Sequence, residues 1–171
     1  MKLNHKIDDL NYLNFIGIGS IDELTVNEPD EFDFENQSTI EQIPITNQKS
    51  RTFGVTWKRI YKNSNGFFNL SLSNNKLENN FERFEDNVSK TNKVYSNLST
   101  EEDIKLRFIS NNNFENYKFS FGGNFQLSKY YNRTLFKFYN IDYNSNIDFF
   151  KYGLFLKSSK TFGPVSYTHL R

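Results

Sequence analysis

The chain has 171 residues, with 21 Lys and Arg against 20 Asp and Glu, and a formal net charge of +1. This balance argues against a polyanion-binding protein, because phosphate binding needs a concentrated surplus of basic residues. It has no Cys, which excludes disulfides, thiolate catalysis and zinc sites built on sulfur. The two His, His5 and His169, lie at opposite ends of the sequence and exclude a multi-histidine metal centre within the chain.

The remaining composition favours strands. Aromatic residues make up 18% of the chain, which contains 25 Asn and no Ala. Ala is the best helix former and Asn a poor one, whereas aromatic residues favour strands and Asn favours turns. No apolar run approaches the length of a transmembrane helix. The sequence therefore predicts an all-β fold.

Alternation of apolar and polar residues with a period of two, typical of strands with unlike faces, recurs along the chain. In chain order it occupies Lys2–Ile7, Phe53–Tyr61, Phe68–Ser73, Ile104–Phe108, Tyr117–Leu127 and Phe150–Lys157. The pattern is clearest in Tyr117–Leu127, where Phe119, Phe121 and Phe125 share one face. In the last stretch, Phe155 interrupts the polar face.

The connections between these stretches predict how the strands are joined. Short connections at 8–11, 63–66 and 111–116 alternate with long polar ones at Thr25–Lys49, Asn80–Thr100 and Asn132–Asp148. Asn65 and Gly66 give a strong hairpin signal, because both residue types accept positive φ. The order predicts an antiparallel meander of about seven or eight long strands, with short turns at one edge and long loops at the other.

Strand length bears on the environment of the sheet. Alternation lasts for roughly ten residues or more per arm, close to the ~9–11 residues with which a tilted strand crosses a bilayer. We expect the stretch Gly66–Phe84 to continue past that span. Alternation alone is compatible with two folds: a soluble sandwich that buries its apolar face, and a membrane barrel that turns this face to lipid. In the barrel, Trp57, Tyr61, Tyr117 and Tyr152 would be interface-belt residues.

Several stretches, in order and spacing, resemble the β-barrel of TonB-dependent receptors of the Bacteroidota type. They are Lys2–Asp9, Phe15–Gly19, Thr56–Lys58, Asn75–Asn79, Ile104–Phe108 and Phe150–Phe155. The resemblance covers most of residues 1–163, which we predict to be a partial receptor β-barrel: a curved open section of a large transmembrane β-barrel.

That resemblance implies an outer-membrane barrel closed by 22 strands and occluded by a plug domain. Such transporters take up metal chelates, vitamins, peptides or glycans with energy from an inner-membrane complex. The implied location is the cell outer membrane. The implied partners are outer-membrane lipid, the plug domain and remaining barrel strands of the same parent protein, and the inner-membrane energy-transducing complex through a missing part. Neither the plug nor the energy-coupling segment is in these residues, and no nucleic acid is expected as a partner.

The two ends of the sequence predict a fragment. Met1 leads straight into alternating residues without the apolar core of a signal peptide. If the chain were complete, we would expect it in the cytosol; if it is a fragment, that expectation does not hold. Val165–Arg171 resembles a translated sequencing adaptor, so residues 164–171 are expected to be an artefactual tail, with an ordinary polar tail as the alternative. His169 carries no function under either interpretation.

Candidate chemistry is weak. Asp30, Glu31, Asp33 and Glu35 are an acidic run that lacks the order of a calcium loop, so a solvated loop is favoured. Carboxylate pairs for a glycosidase exist without a spacing that singles one out, and serine chemistry would have to rely on His5. No catalytic, cofactor-binding or metal-binding residue is assigned, no cofactor is expected, and the chain is not predicted to be an enzyme.

Two further groups of residues have structural interpretations. Gly122 and Gly123 indicate a strand kink or a close approach of a plug or loop backbone. Five polar residues are expected to face the lumen if Ile104, Phe108, Phe119 and Phe121 face lipid; they are Lys105, Arg107, Lys118, Asn124 and Gln126. The alternative function is a soluble β-sheet module that binds carbohydrate or lipid, and a hydrolase is a third hypothesis.

Overall fold

A computed structural model describes residues 1–27, 34–63 and 65–160, which form one antiparallel sheet. Its seven strands pair in sequence order, so that each of the five inner strands is hydrogen-bonded to the one before and the one after it. The strands are β1 Lys2–Lys6, β2 Asn11–Leu24, β3 Ile45–Ile60, β4 Phe67–Asp86, β5 Thr91–Asn113, β6 Tyr117–Phe136 and β7 Ile141–Lys160. The prediction of an all-β meander of long strands is confirmed.

The strands are longer than the alternation indicates. β4, β6 and β7 have 20 residues each and β5 has 23, so each extends for roughly 65 Å or more at a rise of about 3.3 Å per residue. β4 runs through Phe84, as expected for the stretch that begins at Gly66.

Two of the predicted long connections are therefore wrong. Most of 80–100 and 132–148 is strand, and the connections are the four-residue turns 87–90 and 137–140. The second turn contains a 3-10 helix at Lys137–Tyr139. In 80–100, polar residues on both faces interrupt the alternation, so hydrophobic periodicity does not mark that region as strand. In 132–148 a period of two is present, since Ile141, Tyr143 and Ile147 share one face of β7, and it indicates strand there. The connection 25–44 is long, as predicted, and contains the helix α1, Phe34–Gln42.

The sheet has no second layer packed on it. Among the described residues, the buried apolar side chains are Ile45 and Val94 alone, while large apolar side chains are exposed along both edge strands and across the sheet between them. The sheet is also unclosed, since β1 and β7 each have one neighbouring strand. Its order depends on main-chain ladders and on cross-strand contacts between neighbouring side chains.

The short-turn end is fixed by local hydrogen bonds. Asp8 accepts hydrogen bonds from the backbone N–H groups of Leu10 and Asn11, each at 2.8 Å, which closes the turn between β1 and β2. In the turn between β3 and β4, Asn65 has a φ of 35°, whereas Gly66 does not have a positive φ. A Cβ at Gly66 would lie 2.1 Å from the carbonyl oxygen of Asn111, so this glycine is required for space.

At the opposite end, Asn87 ties α1 to the turn between β4 and β5. Its side-chain amide donates to the carbonyl oxygens of Ile40 at 2.7 Å and Ile43 at 2.9 Å, and its Oδ1 accepts from the backbone N–H of Phe84 at 2.9 Å. The Asn87 side chain is almost fully buried, with 1% of its surface exposed. It thereby satisfies carbonyl groups at the C-terminal end of the helix, which have no partner within the helix itself.

No helix within the described ranges combines the length and the apolar composition needed to traverse a lipid bilayer.

We predict that Asn87→Ala releases α1 from the sheet. The substitution leaves the carbonyls of Ile40 and Ile43 without their donor, and an unsatisfied buried polar group costs about 1–3 kcal/mol. Cleavage after Glu41 by a Glu-specific protease, in detergent micelles, should become roughly tenfold faster, which corresponds to about 1.4 kcal/mol. Asn146→Ala, in an exposed part of β7, is the matched control; equal cleavage rates in the two variants would contradict the prediction.

We predict a pH-dependent turn between β4 and β5. Hydrogen bonds from the hydroxyl and backbone N–H of Ser89, and from the backbone N–H of Val88, hold the pKa of Asp86 below its ordinary value. A lowered folded-state pKa means that the stabilisation is present above the unfolded-state pKa and is lost as the pH falls through the folded-state pKa. Amide exchange at Val88 and Ser89 should therefore accelerate in acid, and Asp86→Asn should remove this acid dependence.

Candidate functional site

The register gathers the apolar residues of successive strands on one face of the sheet. Phe15, Val55, Leu72, Leu106 and Phe125 lie directly opposite one another in turn from β2 to β6, and Tyr152 of β7 completes the row. We define the apolar band as the apolar residues of this face between two polar borders. Its members on β2 to β7 are Leu13, Phe15, Phe53, Val55, Trp57, Phe68, Leu70, Leu72, Ile104, Leu106, Phe108, Phe119, Phe121, Phe125, Leu127, Phe150, Tyr152, Leu154 and Leu156.

Aromatic rings pack side by side within this band without a covering layer. The centroids of Phe108 and Phe125 are 6.5 Å apart, those of Phe125 and Phe150 6.2 Å, and those of Phe150 and Tyr152 6.0 Å. Leu154 is still 69% exposed and Phe53 57% exposed. The side chains therefore contact one another laterally but leave their outer surfaces open, which disagrees with a sandwich core.

A row of charged residues borders the band on the side of the longer strand ends. It consists of Arg51, Lys76, Glu102, Lys129 and Asp148, which are register neighbours on the same face, one pleat beyond Phe53, Asn74, Ile104, Leu127 and Phe150. The face thus changes from apolar to charged within two residues on β3, β5, β6 and β7, and on β4 the polar Asn74 intervenes.

Amphipathic aromatic residues border the band on the short-turn side. Trp57 donates its indole N–H to Asn11 at 3.2 Å, the Tyr61 hydroxyl contacts that of Ser110 at 2.9 Å, and the Tyr117 hydroxyl accepts from Ser158 at 2.9 Å.

Tyr152 does not belong to this border. It lies inside the band between Phe150 and Leu154 and is 71% exposed, so the structure places it apart from the other predicted belt residues.

The opposite face carries the polar residues predicted for it. Lys105 lies directly opposite Gln126, and Arg107 lies opposite Asn124, on the face away from Ile104 and Phe108. Lys118 shares that face but lies near the short-turn end, opposite Asn113 and Ser159. The structure therefore brings four of the five predicted residues together as two pairs.

Asp103 organises the centre of this polar face. It accepts hydrogen bonds from the amide of Gln126, at 3.0 Å, and from the hydroxyl of Ser128, and it forms an ion pair with Lys105 at 3.0 Å. Beside it, Asn75, Tyr130, Phe149 and Lys151 help to line an open depression of about 650 Å³. Both carboxylate oxygens of Asp103 are already engaged by side chains of the sheet, so this arrangement provides a polar, hydrogen-bonded surface.

Gly122 and Gly123 lie close to the neighbouring strands, and a Cβ at Gly122 would lie 2.6 Å from the backbone carbonyl oxygen of Phe108. The expected approach of a plug or loop backbone stays a prediction. A Cβ at Gly122 would lie 2.7 Å from the ring of Phe155, and one at Gly123 would lie 2.6 Å from Leu154 and 2.8 Å from the ring of Phe108. Phe155, which interrupts the polar pattern of β7, is thereby explained as the ring that covers Gly122.

The remaining candidate residues do not form a reactive centre in the described part of the chain. No group of three side chains from His, Cys, Asp and Glu is placed to hold a metal ion there. His5 is exposed on β1, opposite Leu13. Of the acidic run, Glu35 lies in α1, whereas Asp30, Glu31 and Asp33 lie outside the described residues, as does Val165–Arg171.

Sequence reasoning missed the charged row and the Asn87 contact to α1. The signal for the row was available: on β3, β4 and β7, the positions of the apolar face change from apolar to charged when the period of two is extended past Phe53, Leu72 and Phe150. The register that aligns these positions across the strands could not be read from the sequence.

No family model, curated protein or solved structure matches the chain.

Proposed function

We propose that the chain is part of the barrel wall of an outer-membrane TonB-dependent nutrient transporter, a protein that actively takes up metal chelates, vitamins, peptides or glycans. The family resemblance of the sequence suggests the transporter. The observation that carries the membrane assignment is the apolar band: one face of a single uncovered sheet, bordered by charged residues on one side and amphipathic aromatic residues on the other.

The energetics of the band favour hydrocarbon over water. Leaving a large apolar side chain in water forgoes about 1.5–3 kcal/mol relative to full burial. No second layer recovers this free energy, since the band is uncovered in the described part of the chain. Lipid acyl chains would cover it without a protein layer, and the polar face would then line an aqueous interior.

The height of the band fits a thin outer membrane. On β6 it extends from Phe119 to Leu127, which is roughly 26 Å along the strand at about 3.3 Å per residue. A strand tilt of about 35–45° reduces this to roughly 20 Å, close to the ~25 Å apolar band of such barrels. Tyr61 and Tyr117, with their hydroxyl groups paired at the short-turn end, would lie at one headgroup region. Trp57 lies further inside the band, so its ring would lie among the acyl chains.

The open edges require more strands. Within the described ranges, the outer edges of β1 and β7 have no neighbouring strand, and unpaired N–H and C=O groups in hydrocarbon cost several kcal/mol each. The proposed barrel is completed by further strands of a parent protein, with short turns toward the periplasm and the long strand ends outside. The plug and the energy-coupling segment of that family lie outside these residues, so the chain contributes wall and surface but no coupling.

We predict that the 171-residue chain needs detergent to fold. In water the exposed band and both sheet edges should drive aggregation. Sedimentation and far-ultraviolet circular dichroism should show aggregate in buffer and a dispersed β-sheet species in detergent micelles. A monomer that melts cooperatively in buffer without detergent would contradict the proposal and would favour a soluble binding module.

We predict that Trp57, the single tryptophan, contacts lipid acyl chains. In micelles of a detergent with brominated alkyl chains, its fluorescence should be strongly quenched, because bromine quenches on contact. The matched control is the double substitution Trp57→Phe with Lys58→Trp, which moves the tryptophan to the opposite face at the same depth. Little quenching is expected in that variant. Equal quenching of the two proteins, or quenching of neither, would contradict the prediction that the face carrying Trp57 contacts acyl chains.

A further inference from the structure

The open depression on the polar face, of about 650 Å³, has the size of a small-molecule site, for which roughly 300–1,000 Å³ is usual. Its floor is formed by five neighbouring strands, β3 to β7, and Asp103 lies near the middle of it. All of its lining residues lie between Ser50 and Lys151. A strand added beyond β7 would extend the sheet sideways, so it would not cover the part of the floor on β4, β5 and β6.

Four polar side chains of this floor have no hydrogen-bond or ion-pair partner among the described residues. They are Thr52, Asn75, Glu101 and Tyr130. The hydroxyls and the amide can both donate and accept hydrogen bonds, whereas the carboxylate of Glu101 accepts them. No cation lies directly opposite Glu101, because its register neighbours are Leu77 and Tyr130.

Two aromatic side chains add an apolar surface to this polar floor. Phe149 of β7 lies opposite Ser128 and is therefore a diagonal neighbour of Tyr130, at a separation that aromatic side chains can bridge. Phe149 is 41% exposed and Tyr130 is half-buried. The floor thus offers ring surface directly beside unused donors and acceptors.

The charges around the depression balance. Asp103 forms an ion pair with Lys105 at 3.0 Å, and the ammonium group of Lys151 lies 4.7 Å from the centre of the Phe149 ring. With Glu101, these residues make two carboxylates and two ammonium groups. The depression therefore has no surplus of either sign with which to attract a charged ligand.

We propose that this depression binds a neutral oligosaccharide, with one sugar ring stacked on Tyr130 and its hydroxyl groups hydrogen-bonded to Glu101. The C–H groups of a sugar ring carry a slight positive charge, which suits the negative face of an aromatic ring. Asn75 is two strands away from Tyr130, roughly 10 Å, so its amide binds the next sugar unit. The inference rests on the proposed function, whose substrate class it names, because the polar face must line an aqueous interior.

The floor favours a sugar over a peptide. The backbone N–H and C=O groups of β4, β5 and β6 are paired in ladders with the strands on both sides. An extended peptide binds a sheet by pairing with a free strand edge, and this floor has none on those three strands. Sugar hydroxyls need only side-chain partners, and each hydroxyl can both donate and accept, as the unused groups of the floor require.

The test is isothermal titration calorimetry of the full 171-residue chain in micelles of an amine-oxide detergent, which contains no sugar. The probes are maltohexaose and cellohexaose, and at least one should bind with a dissociation constant of roughly 1 mM or lower. Hexagalacturonate, with a carboxylate on every unit, should bind roughly tenfold more weakly, because Glu101 repels it. Tyr130→Leu and Glu101→Gln should each weaken binding of the neutral probe roughly tenfold.

The matched control is Tyr131→Leu, the same substitution one residue further along β6. Tyr131 is on the opposite face, so this variant should keep the dissociation constant of the unsubstituted chain. Equal weakening by Tyr130→Leu and Tyr131→Leu would overturn the site. Tighter binding of hexagalacturonate than of either neutral probe, or binding of hexaglycine in their place, would overturn a neutral sugar as the ligand.

The outcomes separate the site from the proposed function. If the chain folds in micelles and binds neither neutral probe at millimolar concentrations, the carbohydrate site fails and the barrel wall stands. If the chain binds a neutral probe as a soluble monomer in buffer without detergent, the site stands and the barrel wall fails. Circular dichroism of each variant in the same micelles verifies that the β-sheet is retained.

Discussion

The cross-strand register is the constraint on which the rest of this structure depends. Because side chains alternate between faces, a slip of one residue between β5 and β6 would move Phe125 from beside Leu106 to the polar face and expose Gln126 in its place. The same register aligns the charged row and pairs Lys105 with Gln126 behind it. A single-layer sheet has no core to correct such an error, so the two faces and their borders are specified strand by strand.

Much of the fold could be predicted from the sequence where one face of a strand is apolar. Tyr117–Leu127 shows its alternation plainly, and its face assignments agree with the pairing. The prediction failed at 80–100 because consecutive polar residues place polar side chains on both faces of a strand, so no period of two is visible. Examples are Asn79 with Asn80, and Ser96 with Asn97. The helix α1 was not predicted either; its end is held by Asn87, more than forty residues away along the chain.

The site could be predicted only where it depends on the alternation within a single strand. Which face Lys105 and Arg107 take follows from parity within one strand, so it could be read from the sequence. The charged row that contains Arg51 and Lys76 requires knowing which residues of β3 and β4 are opposite each other, and no local pattern encodes that pairing.

The length of the strands has a mechanical consequence. The β4–β5 and β6–β7 hairpins are hydrogen-bonded as ladders almost to their turns. Such a hairpin is stiff, because it cannot bend over by changing a few backbone dihedral angles. Between β2 and β3, by contrast, α1 is attached to its neighbours through side-chain contacts such as those of Asn87. The Asn87 amide therefore fixes α1 to this end of the sheet through two hydrogen bonds, whereas the neighbouring connections are fixed by whole ladders.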